Sequence, residues 1–237
     1  MTAAFEVYYW PTPNGWKIPI ALEEMGLDYD IHWIDIGKGD QFSPAFLEIS
    51  PNNKMPVLVD ANGPDGKAIS IFESGAILQY LARKTGQLYG KSERDRIEVD
   101  QWLMWQVAGL GPMAGQAHHF LKYAPGLTPP QVLPYAQDRY KTEVARLYRV
   151  LNTKLGSSRY VAGEFYSIAD IAIWGWAQGW EGQSQTLDDK PNLMRWLDEV
   201  SARPAVKKGR ALGAHLRDRV LNTEEKKAAN KAMFGQE

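Results

Sequence analysis

Three short runs of this chain carry residue types that could hold a small peptide and activate a thiol. Thr12-Pro13-Asn14-Gly15 forms a polar turn, Met55-Pro56 heads a short apolar run, and Glu73-Ser74 heads another. An X-Pro bond is the one peptide bond that goes cis at modest cost. In that form Met55 would present its N–H and C=O outward, where a ligand backbone could pair with them. A trans proline opening a strand is the plain alternative. Ile77, Leu78 and Leu81 recur at helical spacing after Ser74, so Ser74 marks a helix start, where free N–H groups and the positive dipole end favour a carboxylate. Glu73 could accept hydrogen bonds from an ammonium, so the pair suits the zwitterionic end of an α-amino acid. Helix capping alone is the other reading.

The chain has no cysteine, so it can supply neither a thiol nucleophile, nor a disulfide, nor a thiolate metal site. Any sulfur chemistry must use a ligand's sulfur. The turn at 12–15 leads into a helix, and a helix N-terminus carrying a hydroxyl and an amide stabilises a thiolate relative to a free thiol of pKa roughly 8.5. Thr12 Oγ and the Asn14 amide or backbone N–H are the expected donors. A turn and cap without chemistry is the alternative.

The elements that must position these runs follow from periodicity. FEVYYW reads as a strand, Ile18, Ala21, Leu22 and Met25 make a helical stripe ending near Gly26, and YDIHWIDI reads as a second strand. VLVD and AISIF then read as two short strands joined by a polar turn, with the helix from Ser74 behind them. This β-α-β then β-β-α order is that of a thioredoxin-like domain, whose active position is the turn into the first helix. Beyond residue 85 the pattern is helical. Trp102 to Val107 begin a long helix broken in character by Gly109, Gly111 and Pro112, and Tyr140, Val144, Leu147, Leu151 and Leu155 mark another. Ser167-Ile168-Ala169-Asp170 is a capping box, which accounts for Asp170 without catalysis. The expected domains are 1–86, α/β and thioredoxin-like, and 92–237, all-helical.

Composition narrows the classes. The net charge is −1 and 44% of residues are hydrophobic. There is no basic patch for nucleic acid, no apolar run of membrane length and no charged-then-apolar leader, so a cytoplasmic protein is expected. His118-His119 lacks metal-ligand spacing, and no metal is expected. Most of the nine tryptophans should be core. Tyr8 and Tyr9 read as packing residues, and the tail after Leu221 as a solvated or frayed helix that could wrap over the cleft.

TPNG at 12–15, ISPNNKMP at 49–56, FESGAILQYL at 72–81, WQVAGLGPMAGQAHHF at 105–120 and YSIADIAIW at 166–174 together resemble cytosolic glutathione transferases, and within them the bacterial Nu class, over nearly the whole chain. The class includes glutathione-dependent disulfide-bond oxidoreductases and enzymes that cleave aryl ethers. The resemblance implies a glutathione transferase fold, usually homodimeric, with the Phe72 region meeting the partner's long helix and the helical domain completing the acceptor cleft. It implies that Thr12 and Asn14 face the glutathione sulfur, Asn53 and Lys54 lie by its glycine end, Met55 pairs with the cysteinyl backbone, and Glu73 and Ser74 hold the γ-glutamyl group. Gln41 would also reach the ligand, and Arg139 would approach a second glutathione. Ala117 departs from the class, where an Asn precedes the His pair. The implied activity is reduction of small disulfides with one or two glutathiones, or the disulfide dimer, bound. Conjugation or ether cleavage at an electrophilic carbon, and a non-catalytic binding or regulatory role on the same scaffold, are the alternatives.

Overall fold

The computed structural model describes residues 4–127, 129–217 and 223–234. By contacts the chain divides into two units, one of residues up to Leu81 together with those from Pro204 onward, the other Ala82–Arg203.

In the first unit the alternating burial of FEVYY sets strand β1 (Phe5–Tyr9), with Phe5, Val7 and Tyr9 facing the core. Its parallel partner β2 (Tyr29–Trp33) returns through helix α1 (Lys17–Met25), which ends at Gly26 in the left-handed conformation, φ 67°. Strands β3 (Val57–Asp60) and β4 (Ile69–Phe72) add antiparallel neighbours, giving the order β2-β1-β3-β4. Helix α2 (Pro44–Ile49) precedes β3, and α3 (Ser74–Thr85) follows β4. The sheet is therefore the expected thioredoxin-like one. Strand β2 is shorter than the run YDIHWIDI suggests. Past Ile34 the Asp35 carboxylate accepts the Gly37 N–H at 3.0 Å and its N–H donates to Asp40 at 2.9 Å, which turns the chain out of the sheet.

The residues from Pro204 onward, inside the span 92–237 expected to be the helical domain, group by contacts with the first unit. Helices α9 (Pro204–Ala211), α10 (Ala214–Arg217) and α11 (Thr223–Phe234) belong to the first unit. A Cβ on Gly209 would meet Ile20 Cγ1 at 2.6 Å, so glycine is what lets α9 approach α1, and Lys208 ties to Glu23 at 2.8 Å. Tyr9, fully buried, donates to the Leu212 carbonyl at 3.0 Å, and Tyr8 stacks on His32, so both tyrosines are packing residues. The tail helix α11 is docked, with Ala229 buried and lying against Gly37; Leu221, Asn222 and 235–237 fall outside the described residues.

The second unit is helical: α4 (Glu93–Trp105), α5 (Gly111–His118), α6 (Pro134–Leu155), α7 (Ile168–Ala177) and α8 (Pro191–Ala202). Between α4 and α5 the chain stays helical through a π-turn at Gln106–Leu110, where Pro112, lacking an N–H, is accommodated. A second π-turn follows at His119–Tyr123. Trp174 and Trp196 are core, while Trp102, Trp105, Trp176 and Trp180 are only half-buried, fewer than the amphipathic pattern suggests.

Asp170 organises this unit. Fully buried, it accepts from Val161 N–H at 3.0 Å, Trp196 Nε1 at 2.9 Å, Ser167 N–H at 2.9 Å and Ser167 Oγ at 3.0 Å. Asp170→Ala leaves buried donors without an acceptor and is expected to cost about 3 kcal/mol or more, read as a lower urea midpoint by tryptophan fluorescence. Burial pushes this carboxyl up to about 6, against the pull of its four donors. The native chain thus holds the proton more tightly than the unfolded chain. This group's contribution is largest below about pH 4 and is lost as pH rises through about 6, a slope that Asp170→Asn should abolish.

Candidate functional site

The turn into α1 is held by its own backbone. Thr12 N–H bonds the Trp10 carbonyl at 2.8 Å and Trp16 N–H the Thr12 carbonyl at 3.0 Å. Gly15 is required by space, since a Cβ there would lie 2.0 Å from the Trp10 oxygen. Thr12 Oγ1 accepts the Gly15 N–H at 3.1 Å, which leaves its proton to donate, and 3.7 Å away lies Met55 Sδ. The structure thereby brings two of the sequence-flagged residues, 43 positions apart, into contact through a sulfur. Asn14, half-buried, sits on the same turn.

Met55-Pro56 is cis, one of the two readings the sequence leaves open. Ahead of it Asn53 adopts φ 47°, its N–H bonding the Ser50 carbonyl at 2.9 Å, and the buried Ser50 hydroxyl donates to the Lys54 carbonyl at 2.7 Å. These bonds fix Asn53, Lys54 and Met55 as a rigid rim before β3, with the Lys54 side chain exposed.

Glu73 and Ser74 open α3. Glu73 is exposed, sits in the left-handed region at φ 71°, and its carbonyl accepts the Ile77 N–H at 3.0 Å. A side chain there costs about 1 to 2 kcal/mol that a glycine would not, so the carboxylate is kept against backbone preference. Ser74 is buried and accepts a 3.3 Å hydrogen bond from Lys17 Nζ. Lys17 is 1% exposed; burial pushes its amine down to about 7, with the charge of Glu73 opposing. Sequence reasoning missed Lys17, because a lysine in the first turn of a helix reads as solvated. Its one signal was its place directly after Trp16 and before the buried Ile18.

Gln41 lies in the loop before α2. It is 6% exposed, and its Nε2 donates to the Ile36 and Ala232 carbonyls, each at 3.3 Å, so its amide clamps α11 onto the loop. Its Oε1 has no partner among the described residues. Arg139 lies in the helical unit, exposed, on a pocket of about 490 Å³ lined by Met113, Tyr135, Tyr140, Asp138 and Glu143. Tyr140 is stacked on Phe120, ring centres 5.4 Å apart. His118 packs 6.3 Å from both Tyr123 and Trp176, with burial and then Lys122 lowering its pKa.

A thioredoxin-like sheet with a cis proline at the head of β3 and a carboxylate-serine pair opening α3, followed by a helical unit, defines a glutathione transferase fold. Family models for the glutathione S-transferase N-terminal and C-terminal domains match residues 12–84 and 117–204. The chain belongs to the glutathione S-transferase family. It is 50% identical over 208 residues, 87% of this chain and 94% of the relative, to the disulfide-bond oxidoreductase YfcG of Escherichia coli. A second Escherichia coli relative, the disulfide-bond oxidoreductase YghU, is 39% identical over 86% of this chain and 73% of its own. A Pseudomonas putida glutathione transferase with one glutathione disulfide bound per subunit aligns at TM-score 0.83 and 40% identity, covering 89% of this chain and 92% of that one. A Pseudomonas fluorescens family member with two glutathiones bound aligns at 0.81 and 41%, covering 88% and 92%.

Proposed function

We propose that this protein is a glutathione-dependent thiol–disulfide oxidoreductase of the Nu class, which activates a glutathione thiol without a protein cysteine and reduces small disulfides. One observation carries the reading: the Thr12 hydroxyl accepts the Gly15 N–H and gives its own proton to a sulfur, Met55 Sδ at 3.7 Å, a long bond that a ligand thiolate would replace with a stronger one. The residues suit the tripeptide along its length. Ser74 and the α3 N-terminus offer donors to the γ-glutamyl carboxylate, Glu73 accepts from its ammonium, the Met55 backbone pairs with the cysteinyl unit, and Asn53 and Lys54 meet the glycine end. Gln41 reaches the ligand through its Oε1, while its Nε2 ties the loop to α11. Arg139 is assigned to a second glutathione bound by the helical unit.

Glutathione is a substrate here and is consumed. In the first exchange the thiolate attacks one sulfur of the acceptor disulfide; a sulfur–sulfur bond forms as another breaks, and the leaving thiolate takes up a proton. A second glutathione thiolate then attacks the mixed disulfide, so two glutathiones are oxidised to their disulfide and the acceptor is reduced to two thiols. The chain supplies alignment and hydrogen bonds to the developing sulfur charge, with no protein–sulfur bond formed.

A second reading, transfer to an electrophilic carbon, is favoured by the aromatic lining that Tyr135 and Tyr140 give the Arg139 pocket. Turnover of hydroxyethyl disulfide beside an aryl electrophile, with glutathione supplied, separates the two. Retention on glutathione-agarose without either turnover would support a binding role instead. A cytoplasmic homodimer with Phe72, 39% exposed, in its contact belongs to the same proposal, and light scattering tests its mass.

A further inference from the structure

Lys17 has no part in the exchange described above, yet it is a lysine with 1% exposure whose Nζ ends 3.3 Å from the hydroxyl of Ser74. Buried lysines are rare because each costs the solvation of an ammonium, so a site that keeps one uses it. The neighbouring cations on α9 are engaged elsewhere: Lys208 pairs with Glu23, and Arg210 lies over the Trp16 ring at 3.9 Å. Glu73, from the start of α3, acts on Lys17 electrostatically and favours its charged form.

The chemistry of the pair is asymmetric. An ammonium has three donors and no acceptor, so Ser74 Oγ can only accept from it, and the Ser74 proton must point away from Lys17. A neutral amine carries a lone pair and can accept that proton, turning the hydroxyl inward. We propose that Lys17 is a positioning residue for the γ-glutamyl end of glutathione: as an ammonium it turns the Ser74 O–H outward to donate to the ligand carboxylate. This inference rests on the glutathione reading and goes beyond it. The carboxylate in turn favours the charged amine, so binding and protonation of Lys17 are coupled.

Burial sets the amine of the unliganded chain at about 7, so above neutrality most molecules hold it uncharged and binding is accompanied by proton uptake there. The test is calorimetric titration with S-methylglutathione, whose blocked sulfur does not titrate, at pH 7.5 and pH 5.5 in buffers of differing ionisation enthalpy. The wild-type chain should take up most of one proton at pH 7.5 and close to none at pH 5.5. Lys17→Met, which removes a buried charge and should melt no lower than wild type, should bind roughly tenfold to a hundredfold more weakly and lose the uptake at pH 7.5. Wild-type binding without proton uptake, or a folded Lys17→Met that keeps either the affinity or the uptake, overturns the inference while leaving the glutathione reading standing. A wild-type chain that binds no S-methylglutathione overturns both.

Discussion

Thr12→Ala is expected to cut turnover of glutathione with a small disulfide by about 100-fold while changing glutathione affinity by no more than about threefold. The asymmetry follows from when the hydroxyl acts. Its oxygen accepts the Gly15 N–H, and its proton goes to Met55 Sδ at 3.7 Å, a weak bond that a ligand thiolate can displace. A neutral thiol takes little from that donor, whereas a thiolate takes a charge-assisted bond. The interaction therefore strengthens as the thiol ionises, and its loss falls on kcat more than on KM. The variant should also raise the apparent pKa of bound glutathione toward that of a free thiol, roughly 8.5, followed by thiolate absorbance against pH. Thr12→Ser keeps the donor and should keep most of the rate. Equal losses of binding and turnover in Thr12→Ala would assign the residue to holding the ligand instead.

What the sequence made legible was what depends on neighbours in the chain. The proline at 56, the periodicity behind Ser74 and the Ser167-Asp170 box are local signals, and each maps to the structure. Contacts made at long range were not legible. Gln41 carries a side chain suited to a ligand, but one of its bonds goes to Ala232, 191 residues on, and nothing near Gln41 announces it. Gly209 looks like a weak point in a helix until Ile20 is placed under it. The same holds for Lys17, which is buried with its Nζ against Ser74, 57 residues on. The site's polar surface could thus be read from motifs, and the support beneath it could not.

Glu73 separates those two layers, and its variants should show a large effect on binding. Glu73→Ala is expected to weaken glutathione binding by about 10 to 100-fold, the worth of a charge-assisted hydrogen bond, with kcat at saturating glutathione nearly retained. Alanine keeps the left-handed strain at φ 71° and removes the carboxylate. Glycine removes both. If the carboxylate is what binds, Glu73→Gly must weaken binding as much as Glu73→Ala, although it is the more stable of the two by about 1 kcal/mol, because it relieves the backbone. Affinity and stability would then move in opposite directions at one position, as expected where a strained conformation is retained for its side chain. A Glu73→Gly chain that binds glutathione like wild type would locate the binding contribution in the backbone turn into α3, and Glu73 would lose its role as the ammonium's partner. KM for glutathione and thermal midpoints of the two variants, measured side by side, decide between these outcomes.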